Sequence, residues 1–204
     1  MTRNVFERLN IRKRRVLSAN DTGKYQPGDF GYWWTVKRGK EDIEGQDYHG
    51  DIDCSNRDLT SLKGAPRRVD GDFYCDNNKL TTLRGAPEYV SGNFDCSNAQ
   101  LIRLRGAPKY VGWNFNCRKN SLTTLEGAPE EVDCSFYCDN NKLTSLRGAP
   151  EEVGGEFICS HNQLISLEGA PKYVDDDFDC CNNPNLKSLD GIGIVEGDIY
   201  SDIK

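Results

Sequence analysis

From about Tyr48 onward, apolar and polar residues recur along the chain with a period of 21 residues. Aligned on their cysteines, three successive copies read DFYCDNNKLTTLRGAPEYV from Asp72, NFDCSNAQLIRLRGAPKYV from Asn93 and NFNCRKNSLTTLEGAPEEV from Asn114. Phe and Cys alternate with polar residues at the start of each copy, which is the two-residue period of a half-buried strand. A Gly-Ala-Pro turn follows, and too few residues remain before the next strand for a helix. Each copy is therefore predicted to form one short strand and an extended return.

An isolated copy cannot fold by itself. Burial of its Phe, Cys, two Leu and Val side chains contributes about 8 to 15 kcal/mol, whereas ordering a segment of this length costs about 30 kcal/mol. The copies must therefore stack so that they share one continuous core. We predict a mainly β solenoid with a parallel sheet over residues 46–204, whose eight strands are centred on Ile52, Phe73, Phe94, Phe115, Phe136, Phe157, Phe178 and Ile199.

The repeat resembles a known family. The motif F-x-C-x-x-N-x-L, as in Phe73, Cys75, Asn78 and Leu80, is similar to the L-x-L-x-x-N-x-L core of leucine-rich repeats, with Phe and Cys in place of two leucines. The short repeat and non-helical return look most like the short bacterial class. The longer consensus C-S-x-N-x-L-x-x-L-x-G-A-P-x-x-V is similar to repeats in uncharacterised proteins of large tailed bacteriophages.

This resemblance implies a right-handed leucine-rich-repeat-like solenoid of about eight coils, a protein-binding role and no catalytic residues. It also implies a ladder of asparagine amides that satisfy backbone groups where each coil bends. The ladder is broken at Arg57 and Ala99. Its expected members are Asn78, Asn120, Asn141, Asn162 and Asn183.

The first 45 residues differ from the repeats in charge and pattern. They carry ten Lys or Arg against six Asp or Glu, a net charge of +4. Five apolar residues between Val5 and Leu17 fit one side of a helix of about four turns, and Tyr32 to Val36 is a β-prone stretch. We predict a basic N-terminal cap over residues 1–45, a helix plus a short β segment, that covers the first coil. The alternative is that Arg12 to Arg15 contact an acidic partner.

Seven of the nine cysteines lie 21 residues apart. This regularity marks a position in the repeat, and we interpret it as a column of buried thiols rather than a set of disulfides. Their number is odd, and the cytosol is reducing. Cys181 lies one residue beyond the column and is expected to face outward. The column comprises Cys54, Cys75, Cys96, Cys117, Cys138, Cys159 and Cys180.

The outward positions of the eight predicted strands are strongly acidic. Eleven are Asp or Glu and one is Arg, a net charge of −10, which equals the net charge of residues 46–204. Such a face would steer a basic partner, although a solvated surface without function can also be acidic. Tyrosines add anchoring area. The predicted partner-binding residues are Asp51, Asp53, Asp72, Tyr74, Asp76, Asp95, Asn116, Arg118, Tyr137, Asp139, Glu156, Ile158, Asp177, Asp179, Asp198, Tyr200 and Asp202.

Other chemistry has little support in the sequence. His49 and His161, the two histidines, align about five coils apart, which is too far for a shared metal or catalytic site. No phosphate-binding loop or nucleophile motif is present, so we expect no enzyme activity, no cofactor and no transition metal. Weak Ca²⁺ binding at pairs such as Asp177 and Asp198 stays open. Neither end offers an uninterrupted apolar run of about 15 to 20 residues, so we expect no signal peptide or membrane span and a cytoplasmic protein.

These features favour a non-enzymatic protein–protein interaction module that binds a basic partner through its acidic strand face. The phage resemblance would place it in the host cytoplasm, acting on a host or defence protein. One alternative is a DNA mimic that inhibits a nucleic-acid-binding protein, because carboxylates two residues apart on a strand are about 6.6 Å apart, comparable with phosphate spacing. A second is a structural virion component. We expect a monomer or weak oligomer that contacts neither nucleic acid nor membrane directly.

Overall fold

The computed structural model describes residues 23–203, which form a mainly β solenoid built from two parallel sheets of eight strands each. Each coil contributes one short strand to each sheet. The strands that carry the repeat phenylalanines form what we call the phenylalanine sheet. They are β2 (Ile52–Asp53), β4 (Phe73–Tyr74), β6 (Phe94–Asp95), β8 (Phe115–Asn116), β10 (Phe136–Tyr137), β12 (Phe157–Ile158), β14 (Phe178–Asp179) and β16 (Ile199–Tyr200).

The second sheet, which we call the valine sheet, is built from the segment after each Gly-Ala-Pro turn. The sequence predicted this segment to be an extended return, so the single predicted sheet is corrected to two. Each strand points one apolar residue inward and pairs with the next coil. The strands are β1 (Asp47–His49), β3 (Arg68–Asp70), β5 (Tyr89–Val90), β7 (Tyr110–Val111), β9 (Glu131–Val132), β11 (Glu152–Val153), β13 (Tyr173–Val174) and β15 (Ile194–Val195).

Register in both sheets follows the 21-residue period. Phe73 pairs with Phe94 in one sheet, and Val90 pairs with Val111 in the other. Every pairing between the named strands is parallel and joins one coil to the next. The predicted solenoid and its strand positions are therefore confirmed.

The core is a set of columns that run the length of the solenoid. The column cysteines are all buried and free, as the repeat predicted. The two leucines and the valine of each regular coil are buried beside them. Neighbouring phenylalanine rings are 5.1 to 5.7 Å apart between centroids, from Phe73 to Phe178. This shared core supplies the burial that one coil lacks.

The predicted asparagine ladder is confirmed at the bend that follows the phenylalanine sheet. The Asn141 amide donates to the carbonyl oxygens of Cys117 and Cys138, both at 3.1 Å, and its Oδ1 accepts the backbone N–H of Leu122. One amide thus joins two coils at a point where the backbone bends out of the sheet. The residue before each ladder position has a positive φ, between 47° and 57°, and Asn occupies five of these seven positions. Asn tolerates this left-handed conformation better than most residues.

The described part of the N-terminal segment covers the first coil. It contains a three-residue helix α1 (Phe30–Tyr32), which continues as a π-helical turn at Trp33–Lys37. The rings of Phe30 and Trp34 are stacked 5.6 Å apart, and Phe30 lies 6.1 Å from Phe73. The predicted β segment at Tyr32 to Val36 is therefore wrong, because aromatic residues at helical spacing pack together onto the open end of the core. The predicted helix between Val5 and Leu17, and Arg12 to Arg15, lie outside the described residues.

Candidate functional site

The predicted partner-binding residues all lie along the outer side of the phenylalanine sheet, on its strands or in the bend that follows. Those at the two ends, such as Asp51 and Asp198, are exposed, whereas most of the others are half-buried. Asn116 is buried, because its amide donates to the Asp95 carboxylate at 2.9 Å on the preceding coil. Asn116 therefore stabilises the contact between two coils and offers little surface to a partner.

In six of the eight strands, the first outward position has a structural role that sequence reasoning missed. Its side-chain oxygen accepts the backbone N–H of the equivalent residue on the next coil. We call this set the acceptor ladder, and its bonds are 2.7 to 3.2 Å long. The acceptors are Asp51, Asp72, Asn93, Asn114, Ser135 and Asp177.

A second set of carboxylates closes turns at the end of the strands. Asp53 Oδ1 accepts the backbone N–H of Ser55 at 3.0 Å and its hydroxyl at 2.6 Å. These hydrogen bonds lower the pKa of Asp53, because they stabilise its ionised form. Asp95 and Asp179 make the equivalent bond to the backbone two residues on. Part of the acidity of this face therefore belongs to local hydrogen bonding.

A shallow depression lies at the middle of the face. Its volume is about 380 Å³. Tyr74 and Tyr137 border it three coils apart, and the Asn93 and Asn114 amides lie between them. Arg118 is the one basic residue in its lining. The centre of the face is thus nearly neutral and aromatic, while the carboxylates concentrate toward both ends.

The tyrosines of this face are held as neutral phenols. Burial, followed by a hydrogen bond to Asp72, raises the pKa of Tyr74, and its hydroxyl donates to that carboxylate at 2.8 Å. Burial is also the first cause of the raised pKa of Tyr137, whose hydroxyl donates to Glu156. At Tyr200 the charges of Asp177 and Asp198 raise the pKa. Each ring therefore offers apolar area without adding negative charge at neutral pH.

The valine sheet presents a second acidic face, which the sequence did not reveal. The residues that flank its inward positions include seven acids and one arginine, a net charge of −6. Because the phenylalanine-sheet face already carries a charge equal to the whole net charge of residues 46–204, the bases that compensate this second face lie elsewhere on the solenoid. The stacked rings of Tyr89 and Tyr110 lie on this face, with centroids 4.5 Å apart. The signal that could have found it is the recurrence of Tyr or Glu immediately before the repeat valine.

The described residues contain no group of three or more His, Cys, Asp or Glu side chains suited to hold a metal ion. His49 Nδ1 lies 2.7 Å from Asp70, whereas His161 lies beside Asn182 at the other end of the solenoid. The two histidines therefore do not share a site. Over residues 23–203, no helix is long and apolar enough to cross a membrane.

No protein-family model matches the chain, and neither a curated protein nor a solved structure is significantly similar to it. The geometry described above is therefore the basis for a functional proposal.

Proposed function

We propose that the protein is a non-enzymatic binding module whose phenylalanine-sheet face docks a basic surface of another protein. One observation carries this proposal. The acceptor ladder uses neutral side chains at its centre, where Asn93, Asn114 and Ser135 accept the same backbone bond that Asp72 and Asp177 accept toward the ends. The backbone bond therefore needs an oxygen acceptor but not a charge. The carboxylates at the two ends of the face are then explained by attraction of a basic partner.

The arrangement favours a partner with basic residues on both sides of a less polar centre. Asp72 and Asp198 are six coils apart, which corresponds to about 29 Å at the usual strand spacing. Between them, Tyr74 and Tyr137 border the central depression. Carboxylates at the rim speed association by attraction at a distance, and aromatic residues at the centre slow dissociation. The resemblance to phage repeat proteins makes a host or defence protein the partner class to search first.

The test uses two variants, each of which removes three charges from one of the two sheets. The phenylalanine-face variant carries Asp72→Asn, Asp177→Asn and Asp198→Asn, so that asparagine retains an acceptor oxygen at the ladder positions. The valine-face variant carries Glu131→Gln, Glu152→Gln and Asp175→Asn. Immobilised wild-type protein captures partners from lysate of the cell in which it acts, and mass spectrometry identifies them. Association of each captured protein with the wild type and both variants is then measured at low and moderate salt.

We expect the phenylalanine-face variant to associate more slowly than the wild type and to lose much of its salt dependence. The valine-face variant should associate normally, because its charge change is equal but lies on the other sheet. Unchanged association of the phenylalanine-face variant at both salt concentrations would exclude this face as the binding site. Competition of the captured partner by double-stranded DNA would instead favour the DNA-mimic function.

A further inference from the structure

A groove crosses the middle of the valine sheet, a different sheet from the one that carries the proposed function. Its volume is about 710 Å³, and it is lined by parts of three successive coils. Gly154 lies at its floor between Asp133 and Asp175, the equivalent residues of the neighbouring coils. A Cβ atom at Gly154 would lie 2.1 Å from the Asp133 carbonyl oxygen, so the backbones of the two coils approach too closely here for a larger residue.

The groove has more negative charge than its own contacts compensate. Six carboxylates line it, and no basic side chain does. Among the described residues, Lys172 pairs with Glu151 at 2.8 Å from outside this lining. Tyr110 donates its hydroxyl to Asp133, and Tyr173 donates to Asp175 at 3.0 Å. Glu131 and Glu152 are exposed and carry their charge toward solvent. The six carboxylates are Glu130, Glu131, Asp133, Glu151, Glu152 and Asp175.

Aromatic rings flank this charge at both ends of the groove. Tyr110 stacks on Tyr89 through one face of its ring, 4.5 Å between centroids. Its other neighbour along the ladder is Glu131, which pairs with it in register. Tyr173 lies at the other end, in register with Glu152. Each end therefore combines a tyrosine ring with a carboxylate on the adjacent coil.

The same sheet already holds an arginine in this way. The Arg68 guanidinium lies 3.8 Å from the centroid of the Tyr89 ring, and its Nε donates to Asp70 at 2.6 Å. The ring belongs to the next coil, and the carboxylate lies two residues along the same strand. Stacking on a ring combined with a carboxylate bond is the geometry that distinguishes guanidinium from ammonium. This internal contact shows that the tyrosine column of the valine sheet accepts a guanidinium group.

We propose that the groove binds an extended, arginine-bearing segment of a partner protein, with guanidinium groups stacked on Tyr110 or Tyr173 and paired with the adjacent carboxylates. Charge complementarity selects a basic segment, and the rings select arginine over lysine. An extended segment fits because its alternate side chains are about 6.6 Å apart, within the span of three coils at about 4.8 Å spacing. Binding at this groove does not depend on the function proposed for the phenylalanine-sheet face, and either function can be correct without the other.

The test measures binding of two fluorescein-labelled peptides to the full chain by anisotropy at low salt. One peptide alternates glycine with arginine, and the other alternates glycine with lysine at the same length and charge. We expect the arginine peptide to bind about three- to fivefold more tightly, the increment typical of an exposed cation–π contact. Tyr173→Leu should lower the ratio of arginine-peptide affinity to lysine-peptide affinity toward one. It should change binding of the lysine peptide little, because the charge of the groove is unchanged.

The two triple variants locate the binding. The valine-face variant should weaken both peptides, roughly tenfold at low salt, whereas the phenylalanine-face variant should leave them near wild-type affinity despite the same change in net charge. Equal weakening by both variants, or equal affinity for the two peptides, would overturn the proposal. The peptide measurements test the groove, whereas partner capture tests the phenylalanine-sheet face. A partner that binds only the phenylalanine sheet would not change the peptide results, so the failure of one proposal can be told from the failure of the other.

Discussion

The backbone N–H of Asn93 donates to the Asp72 carboxylate on the preceding coil at 2.7 Å. The bond joins two coils at the edge of the phenylalanine sheet, and the acceptor is an ionised side chain at neutral pH. Because Asn93 itself makes the same bond to Asn114 with an amide oxygen, the contact requires an acceptor but not a charge. Structural and electrostatic roles of Asp72 can therefore be separated by substitution.

We predict that Asp72→Asn changes the free energy of unfolding by less than about 0.5 kcal/mol, because the amide oxygen keeps the bond. Asp72→Ala should lower it by about 0.5 to 1.5 kcal/mol, because the Asn93 N–H loses its partner. Urea denaturation of both variants measures the difference. Equal destabilisation by Asn and Ala would mean that the carboxylate charge, and not the acceptor, stabilises the coil.

The gap in the asparagine ladder offers a stabilising substitution. Ala99 occupies the position equivalent to Asn78 and Asn120, one coil from each. At Asn78 the amide donates to two cysteine carbonyls, and Oδ1 accepts the Leu59 N–H at 2.8 Å. Ala99→Asn would place the same groups beside Leu80, on a backbone of the same repeat geometry.

We expect Ala99→Asn to raise the free energy of unfolding by about 1 kcal/mol, which is typical of one net buried hydrogen bond. Ala99→Ser is the matched control, because serine is polar but too short to bridge two coils, and it should give no gain. A denaturation midpoint for Ala99→Asn at or below that of the wild type would show that this coil does not accept the amide.

The sequence predicted the phenylalanine sheet because each of its strands carries two inward residues, such as Phe73 and Cys75, and their alternation identifies a strand. A valine-sheet strand such as Tyr89–Val90 carries one inward residue, so no alternation exists to detect it.

The acceptor ladder could not be predicted from the sequence for a different reason. Asp, Asn and Ser look chemically diverse in a sequence, yet each supplies the same oxygen to the neighbouring coil.

The N-terminal aromatic segment was misassigned because local propensity was the only guide. Trp and Tyr favour strands when they lie on a pleated surface. Here Trp33 and Trp34 pack with Phe30 over the open end of the core, and Thr35 donates its hydroxyl to the Gly31 carbonyl at 2.6 Å. Tertiary packing at the end of the solenoid decided the conformation, and a sequence window does not contain that information.

Two cysteines outside the buried column give a test of local electrostatics. Cys134 and Cys181 are partly exposed. Burial, and then a hydrogen bond to Asp179, raises the pKa of Cys181 to about 11. Because the thiolate is the reactive form, exposure alone does not make this residue reactive at neutral pH.

We predict that alkylation of Cys181 is slow at pH 8 and accelerates by about tenfold per pH unit up to about pH 10, as the thiolate fraction rises. Asp179→Asn should speed the reaction at pH 8, because it removes the adjacent charge. Peptide mass spectrometry after timed iodoacetamide treatment distinguishes Cys181 from Cys134 and from the column. Rapid labelling of column cysteines in native protein would contradict their burial.

The contact that fastens the N-terminal cap should make stability depend on acid pH. Asp42 accepts hydrogen bonds from Lys24 Nζ at 2.5 Å, from the Tyr25 hydroxyl at 2.7 Å and from the Glu44 backbone. Burial opposes ionisation of Asp42, but these bonds outweigh it and lower the pKa of the carboxyl. A carboxyl whose pKa is lower in the folded state than in the unfolded state stabilises the fold above its unfolded value of about 4. That contribution is lost as pH falls through the folded value.

We therefore expect Asp42→Asn to unfold at lower urea than the wild type at pH 7, with the two curves converging as pH falls below about 4. Tyr25→Phe removes one of the three donors and should show a smaller difference of the same sign. Tryptophan fluorescence follows the transition, because Trp33 and Trp34 are buried in the cap. A difference between Asp42→Asn and wild type that persisted unchanged at acid pH would mean that the Asp42 side chain stabilises the cap by packing, because an ionic contribution must vanish once the carboxyl is protonated in both states.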